Sequence, residues 1–215
     1  MKISIKQTDL KAVSLAMSQK DIRYYLMGVN IEHNGQETRL VATDGHRLHA
    51  VVIENGGETL VDPVSFIMPL DLVKKCVSAK ANRQDREPRI EIDYDQGRIT
   101  ATLPDGSQVS QMATDGRFPD YTRRIPRSES ITAPEAAHFN PEYVADAIKG
   151  YAIFMGLSGK NTPSLGLNPQ GSRAGFLSAN GFTAVVMPMR GELSGNPDVR
   201  LSMPIKSPVK LQAVA

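Results

Sequence analysis

Apolar and polar positions alternate with a period of two over Ile3-Ser4-Ile5, and the pattern breaks at Gln7-Thr8-Asp9, where Thr8 or Asp9 is placed to cap a helix. From Leu10 to Met17 the period lengthens. Leu10, Val13, Ala16 and Met17 fall on one face of a helix. Tyr24 to Ile31 and Arg39 to Ala42 then read as strands bracketing a turn at Asn34-Gly35, and a second tight turn at Asp44-Gly45 aims His46, Arg47 and Leu48 at one place. Asn-Gly and Asp-Gly between β-favouring runs are strong hairpin signals, because both central positions tolerate positive φ. Leu26 and Leu48 would form an apolar floor beside Arg23, Thr43, His46 and Arg47, which is what a peptide groove needs.

The order then recurs. Val64 to Met68 reads as a strand, Pro69 to Asp71 as a helix entry, and Leu72, Val73, Cys76 and Val77 as a helical stripe. Strands follow at Arg89 to Tyr94, Arg98 to Leu103 and Gln108 to Ala113, split by Asp95-Gln96-Gly97 and Pro104-Asp105-Gly106. A third copy begins near Ala137-His138-Phe139, with Asn140 as N-cap, Pro141 at the first helical position, and Tyr143, Val144, Ala147 and Ile148 at helical spacing. Its strands are expected at about Ser164 to Leu167, Ala174 to Ser178 and Thr183 to Met187. Ala42-Thr43-Asp44-Gly45 returns as Ala113-Thr114-Asp115-Gly116, and loosely as Ala179-Asn180-Gly181. Strand, helix, three strands is the repeating unit, an α+β module that must pair to hide its apolar face.

Residues 1–127 therefore read as one domain of two units, 128–190 as a half domain, and 191–215 as a C-terminal extension whose Pro, Gly and Ser favour an extended segment. Arg123 to Ser130 is the expected linker, with Pro126 restricting Ile125 to extended backbone. The third unit lacks a fourth to pair with, so it either packs as a half domain or is completed by another chain.

A chain of 215 residues can bury a real core. The formal charge of +2 is nearly neutral, so contact with nucleic acid would depend on local patches. The single cysteine, Cys76, excludes an internal disulfide and fits a reducing compartment; on an apolar helical face it reads as packing. Without a charged-then-apolar leader or an apolar run of about 18 residues, the expectation is a cytoplasmic protein. There is no nucleophile motif, no Gly-rich phosphate loop and no HExxH, so neither an enzyme nor a cofactor is expected. His46 and His49 lack a carboxylate or cysteine at ligand spacing, which argues against a metal; Asp44 and His46 as an acid–base pair stand in a turn whose second copy holds Arg117 instead.

Three separated segments carry a resemblance. Arg23 to Gly28 with Ala42 to Leu48, then Asp115-Gly116-Arg117-Phe118-Pro119-Asp120-Tyr121, then Val185-Val186-Met187-Pro188-Met189-Arg190, resemble in order the middle domain and the closing end of the bacterial sliding clamp, the β subunit of the replicative DNA polymerase. The resemblance implies a DNA-clamp-like fold with helices packed on antiparallel sheets, and a non-catalytic processivity role. It implies a groove gripping linear motifs of polymerases and clamp loaders. The matching positions are Arg23, Tyr25 and Leu26 on the first strand after the helix; Thr43, Gly45, His46, Arg47 and Leu48 at the turn; Pro126 in the linker; Asn140 and Tyr143 at the third helix entry; and Val185, Met187, Pro188, Met189 and Arg190 at the closing strand. The bland alternative is that Leu48, Val185 and Met187 are ordinary strand-core residues.

The family encircles duplex DNA, its helices lining a bore without reading bases, and the charges of the first two helices here make Lys11, Lys20, Lys74, Lys75, Lys80 and Arg83 the DNA-facing candidates. The third helix, with Glu142 and Asp146 against Lys149, is slightly acidic. A clamp ring has twelve units by resemblance, so three per chain would call for a homo-oligomer of four. A second reading is a clamp mimic that never closes on DNA and sequesters clamp-binding partners. Finally, Arg200-Leu201-Ser202-Met203-Pro204-Ile205 resembles the Gln-Leu-Ser-Leu-Pro-Leu type of motif by which partners enter the groove, with Arg where Gln is usual.

Overall fold

A computed structural model describes residues 1–58, 60, 62–81, 85–125, 137–157, 168–170 and 173–189. Pro126, Arg83, Arg190, the expected strand at Ser164 to Leu167 and the whole of 191–215 lie outside the described residues. The elements in chain order are β1 (Lys2–Lys6), α1 (Gln7–Ser14), β2 (Gly28–His33), β3 (Glu37–Thr43), β4 (Arg47–Glu54), β5 (Val64–Pro69), α2 (Leu70–Ser78), β6 (Arg89–Asp95), β7 (Arg98–Thr102), β8 (Gln108–Met112), α3 (Pro141–Phe154), β9 (Asn168–Gln170), β10 (Arg173–Ala179) and β11 (Phe182–Val186).

Two antiparallel sheets result, in the order β1-β6-β7-β8 and β5-β2-β3-β4-β11-β10-β9. The first strand of each of the first two units crosses over. β1 pairs with β6, and β5 with β2, so each unit closes the other's sheet. The third unit joins sideways instead: β11 pairs with β4, setting Val185 opposite Leu48 and Val186 opposite Arg47. Among the described residues, the start of the third unit contributes one bridge, between His138 and Met189. The three helices form one layer with α1 in the middle, packed against both α2 and α3.

The alternation of side chains across a strand divides the interior in two. Leu40, Ala42, Val51, Ala184 and Val186 face the helices and share the main core with Leu10, Val13, Leu72, Val73, Ala147 and Tyr151. Their neighbours Val41, Leu48, Ala50 and Val185 point the other way and form a smaller cluster with Tyr121, backed by Phe118 and Ile125. At about 1.5–3 kcal/mol per fully buried large aliphatic side chain, this second cluster contributes to fixing the chain after β8 against the outer face of the sheet.

Two local expectations fail. The helix begins at Gln7, not behind a Thr8 or Asp9 cap, and Lys6 at the N-cap position makes no side-chain cap bond; its ammonium reaches Glu87 instead, at 3.0 Å. Tertiary contacts replace the cap: the Gln7 backbone N–H donates to Pro88 O at 2.8 Å, and its side-chain amide donates to Cys76 O and Ala79 O. Asp9 ends up buried, and that burial pushes its carboxyl up to about 6. The strand expected from Tyr24 begins instead at Gly28, because Tyr24–Leu26 forms a 3-10 turn. Leu26 N–H bonds back to Arg23 O and Met27 N–H to Tyr24 O; only from Gly28 does β5 offer a ladder. The third helix starts as its sequence suggests, Asn140 accepting a hydrogen bond from the Glu142 N–H at 2.9 Å with Pro141 at its first turn.

Candidate functional site

Where β4 meets β11, on the sheet face away from the helices, the chain forms an open cavity of about 310 Å³. Leu26, Leu48 and Val185 are buried in its floor, and Met187 covers one end. The Met187 N–H donates to His46 O at 2.8 Å, which extends the β4–β11 pairing past the last ladder residue and fixes that end.

The turn at Asp44-Gly45 shapes the rim through its own hydrogen bonds. Asp44 Oδ1 accepts from the N–H groups of His46 and Arg47 at 2.9 and 3.0 Å, while the Thr43 hydroxyl donates to Arg47 O at 2.6 Å and accepts from Gly45 N–H at 3.0 Å. Gly45 sits at φ +94°, a conformation that favours glycine, and a Cβ there would stand 3.0 Å from the Arg23 guanidinium, which would have to shift slightly. Arg47 reaches Asp44 through Nε at 3.0 Å and Asp146 of α3 through Nη1, and its guanidinium lies 4.6 Å over the Tyr143 ring. One arginine thus ties the turn to the third helix. Arg23 is held by Asp21 at 2.7 Å, and that bond holds the Asp21 carboxyl down at about 2.

The opposite wall is a strap that the sequence pattern does not assign to the site. Pro119, Asp120, Tyr121 and Arg124 line the cavity. Tyr121 anchors them: its hydroxyl donates to Glu32 Oε2 at 2.9 Å, and burial, followed by the Glu32 charge, pushes its phenol up to about 12. Asp120 pairs with Arg123 at 2.8 Å, pointing that arginine's charge outward. Arg124 makes no ion pair with another described residue. The signal for the strap is present in the Phe-Pro-Asp-Tyr run, but nothing local tells that Tyr121 finds Glu32, 89 residues away in sequence.

Of the expected groove residues, Arg23, Tyr25, Leu26, Thr43, Gly45, His46, Arg47, Leu48, Val185 and Met187 line this one cavity. Tyr143 stands behind it, stacked on His46 with ring centroids 6.4 Å apart. Asn140 is occupied as the helix cap, and Pro188 and Met189 run past the lining. Arg23, Tyr25 and Leu26 reach the cavity from the loop and 3-10 turn before β2, not from a strand.

His49 parts from His46 entirely. It is buried on the helix face of β4, its Nδ1–H donating to Ala12 O at 3.0 Å, and burial pushes the imidazole down to about 4. Among the described residues, no group of three His, Cys, Asp or Glu side chains gathers as a metal site. Cys76 is buried, which raises its thiol to about 11. Lys11, Lys20, Lys74, Lys75 and Lys80 are exposed and make no ion pair with another described residue; Lys11, Lys74 and Lys75 stand on the helix layer, on the other side of the sheet from the cavity. No described helix is long and apolar enough to cross a membrane.

The profile of the central domain of the DNA polymerase III beta subunit matches residues 4–120. The chain belongs to the sliding-clamp family. Members of that family are non-catalytic processivity factors of DNA replication. The beta sliding clamp of Pseudomonas aeruginosa is 35% identical over 136 residues, which cover 59% of this chain and 34% of that protein. The chain thus matches about a third of the length of such relatives. Among solved structures, the DNA polymerase sliding clamp of Pseudomonas aeruginosa with ligand superimposes with a TM-score of 0.66 at 23% identity, over 88% of this chain and 66% of the other. The DNA polymerase III beta subunit of Thermotoga maritima also gives 0.66, at 17% identity, over 89% and 66%. The α+β clamp fold extends through the third unit, beyond the residues that the family profile matches.

Proposed function

We propose that this chain is a non-catalytic tether that holds polymerase- and loader-type proteins by short linear motifs seated in the cavity between β4, β11 and the 119–124 strap. One observation carries the reading: segments far apart in sequence, at 23–26, 43–48, 119–124 and 185–187, converge on a single open depression with an apolar floor and a polar rim. Leu26, Leu48 and Val185 suit two or three aliphatic anchors. Met187 is partly exposed and unbranched, so it can adapt to more than one ligand. Backbone pairing and paired arginines hold the rim in place before a ligand arrives, which lowers the ordering cost of binding.

Duplex DNA belongs to the same reading, on the opposite face. The exposed lysines of α1 and α2 favour weak, sequence-independent phosphate contact that weakens steeply with salt. Topological retention on DNA requires several copies to close around it, so self-association is part of the proposal.

The test is a titration of fluorescently labelled Gln-Leu-Ser-Leu-Pro-Leu peptide followed by anisotropy. A Kd on the order of micromolar is expected, as for a few deep contacts. Met187→Ala should weaken it by about tenfold, or ~1.4 kcal/mol, while leaving the thermal transition nearly unchanged. Absence of saturable binding to the unmodified chain and to a variant with Leu201, Met203 and Ile205 changed to Ala would remove the reading.

A further inference from the structure

We propose that the chain carries its own groove ligand, Leu201-Ser202-Met203-Pro204-Ile205, which docks in cis and competes with incoming motifs; this rests on the groove being a peptide site. The first support is where the chain leaves the fold. Met187 lines the cavity, and Met189, two residues on, is held by His138, so the chain beyond it is tethered within two residues of the cavity lining.

The second is reach. Residues 190–200 span at most about 40 Å when extended, and roughly 20 Å as an unrestrained chain interrupted by Gly191, Gly195 and Pro197. Either length lets Leu201 turn back onto a cavity two residues upstream of Met189.

The third is complementarity. In an extended chain Leu201, Met203 and Ile205 would project to one side, and Pro204 disfavours helical backbone at Met203 without offering a donor of its own. That spacing suits the floor of Leu26, Leu48 and Val185, with Met187 at its end. Asp198, just before the apolar run, is opposite in charge to Arg124 on the strap.

The effect on binding follows from mass action. A tether of this length gives an effective concentration of about 1 mM. A segment with an intrinsic Kd of roughly 100 µM would then fill the groove about ten parts in eleven, and external peptides would bind about tenfold more weakly. The device sets a threshold: partners with a strong motif displace the segment, and weak or fortuitous ones do not.

The experiment keeps the full chain and replaces Leu201, Met203 and Ile205 together by Ala. Labelled Gln-Leu-Ser-Leu-Pro-Leu peptide is titrated into both forms, at two protein concentrations, with light scattering on the same samples. The expected result is about tenfold tighter binding to the substituted chain, independent of protein concentration, with unchanged mass. Equal affinity for the two forms overturns the proposal while leaving the groove intact as a peptide site. Saturable binding to neither form removes the groove reading, and the proposal with it. A mass that falls on substitution, with a gain that depends on protein concentration, overturns docking in cis and assigns the segment to a neighbouring copy's groove.

Discussion

Ala-Thr-Asp-Gly occurs twice in this chain, and the two copies end differently. At 42–45 the Asp44 carboxylate gathers the His46 and Arg47 N–H groups and the Arg47 side chain, the chain reverses, and β4 runs back along β3. At 113–116 Asp115 is exposed and makes no hydrogen bond to another described residue. Thr114 instead donates its N–H to Ile67 O at 3.0 Å, and the chain leaves along the outer face of the sheet toward Tyr121. Glycine takes positive φ in both, +94° at Gly45 and +133° at Gly116, so the permissive residue is common to the two. The difference lies in the partners that each chain segment meets beyond its glycine. After the first turn two neighbours offer ladders, β3 and β11; after the second the described chain is taken by a buried tyrosine bond. The same local instruction becomes a groove rim in one place and the start of a groove wall in the other.

The comparison breaks most visibly at the two aspartates. Asp44→Ala removes two backbone hydrogen bonds and one of the two carboxylates paired with Arg47, and should cost about 2–3 kcal/mol in urea unfolding; Asp115→Ala should stay within about 0.5 kcal/mol. Equal costs would mean that the turn sequence, not its surroundings, sets the stability.

The next largest effect is expected at the seam that the first turn feeds. His49 is neutral in the fold, its imidazole pushed down to about 4 from the ordinary 6.5. A depressed histidine favours the folded state fully above about 6.5 and loses that contribution as pH falls toward 4. The unmodified chain should therefore lose roughly 1–3 kcal/mol relative to His49→Gln between those pH values, read by thermal or urea unfolding. Asp9, pushed up to about 6, acts in the opposite sense, destabilising as pH rises from about 4 through 6, so the difference between the two proteins is the quantity to measure. A difference that does not change with pH would show that the β4–β11 seam is not the buried site of protonation.

The smallest effect tests the strap. Tyr121→Phe removes the bond to Glu32 and should cost about 1–2 kcal/mol, with peptide affinity falling a fewfold because Pro119 and Arg124 lose their anchor. Unchanged affinity on an equally destabilised protein would separate the wall from the groove.

Much of this is readable from the residues. The periods of two and 3.6 locate most strands and all three helices, and Asn140-Pro141 marks the start of α3 because a cap and a fixed φ act within one turn. The match at 42–48 locates half the groove, since a hairpin brings its own two strands together. The features that are not legible depend on distant partners. The Tyr24–Leu26 segment has strand composition but no ladder partner, so local hydrogen bonds close it into a 3-10 turn. Thr8 and Asp9 have capping chemistry, yet the entry of the helix is secured by Pro88, Cys76 and Ala79. The strap is legible as a family signature and not as a cavity wall.

By itself, then, the sequence determined the repeating unit, the family, and which face of each strand is apolar, because these depend on spacing along the chain. Only the tertiary structure decided that β11 would lie against β4 and that Tyr121 would be drawn to Glu32. Hydrogen-bonding groups left over at a sheet edge can be satisfied by any strand that reaches them, and which one arrives is set by packing of the whole chain.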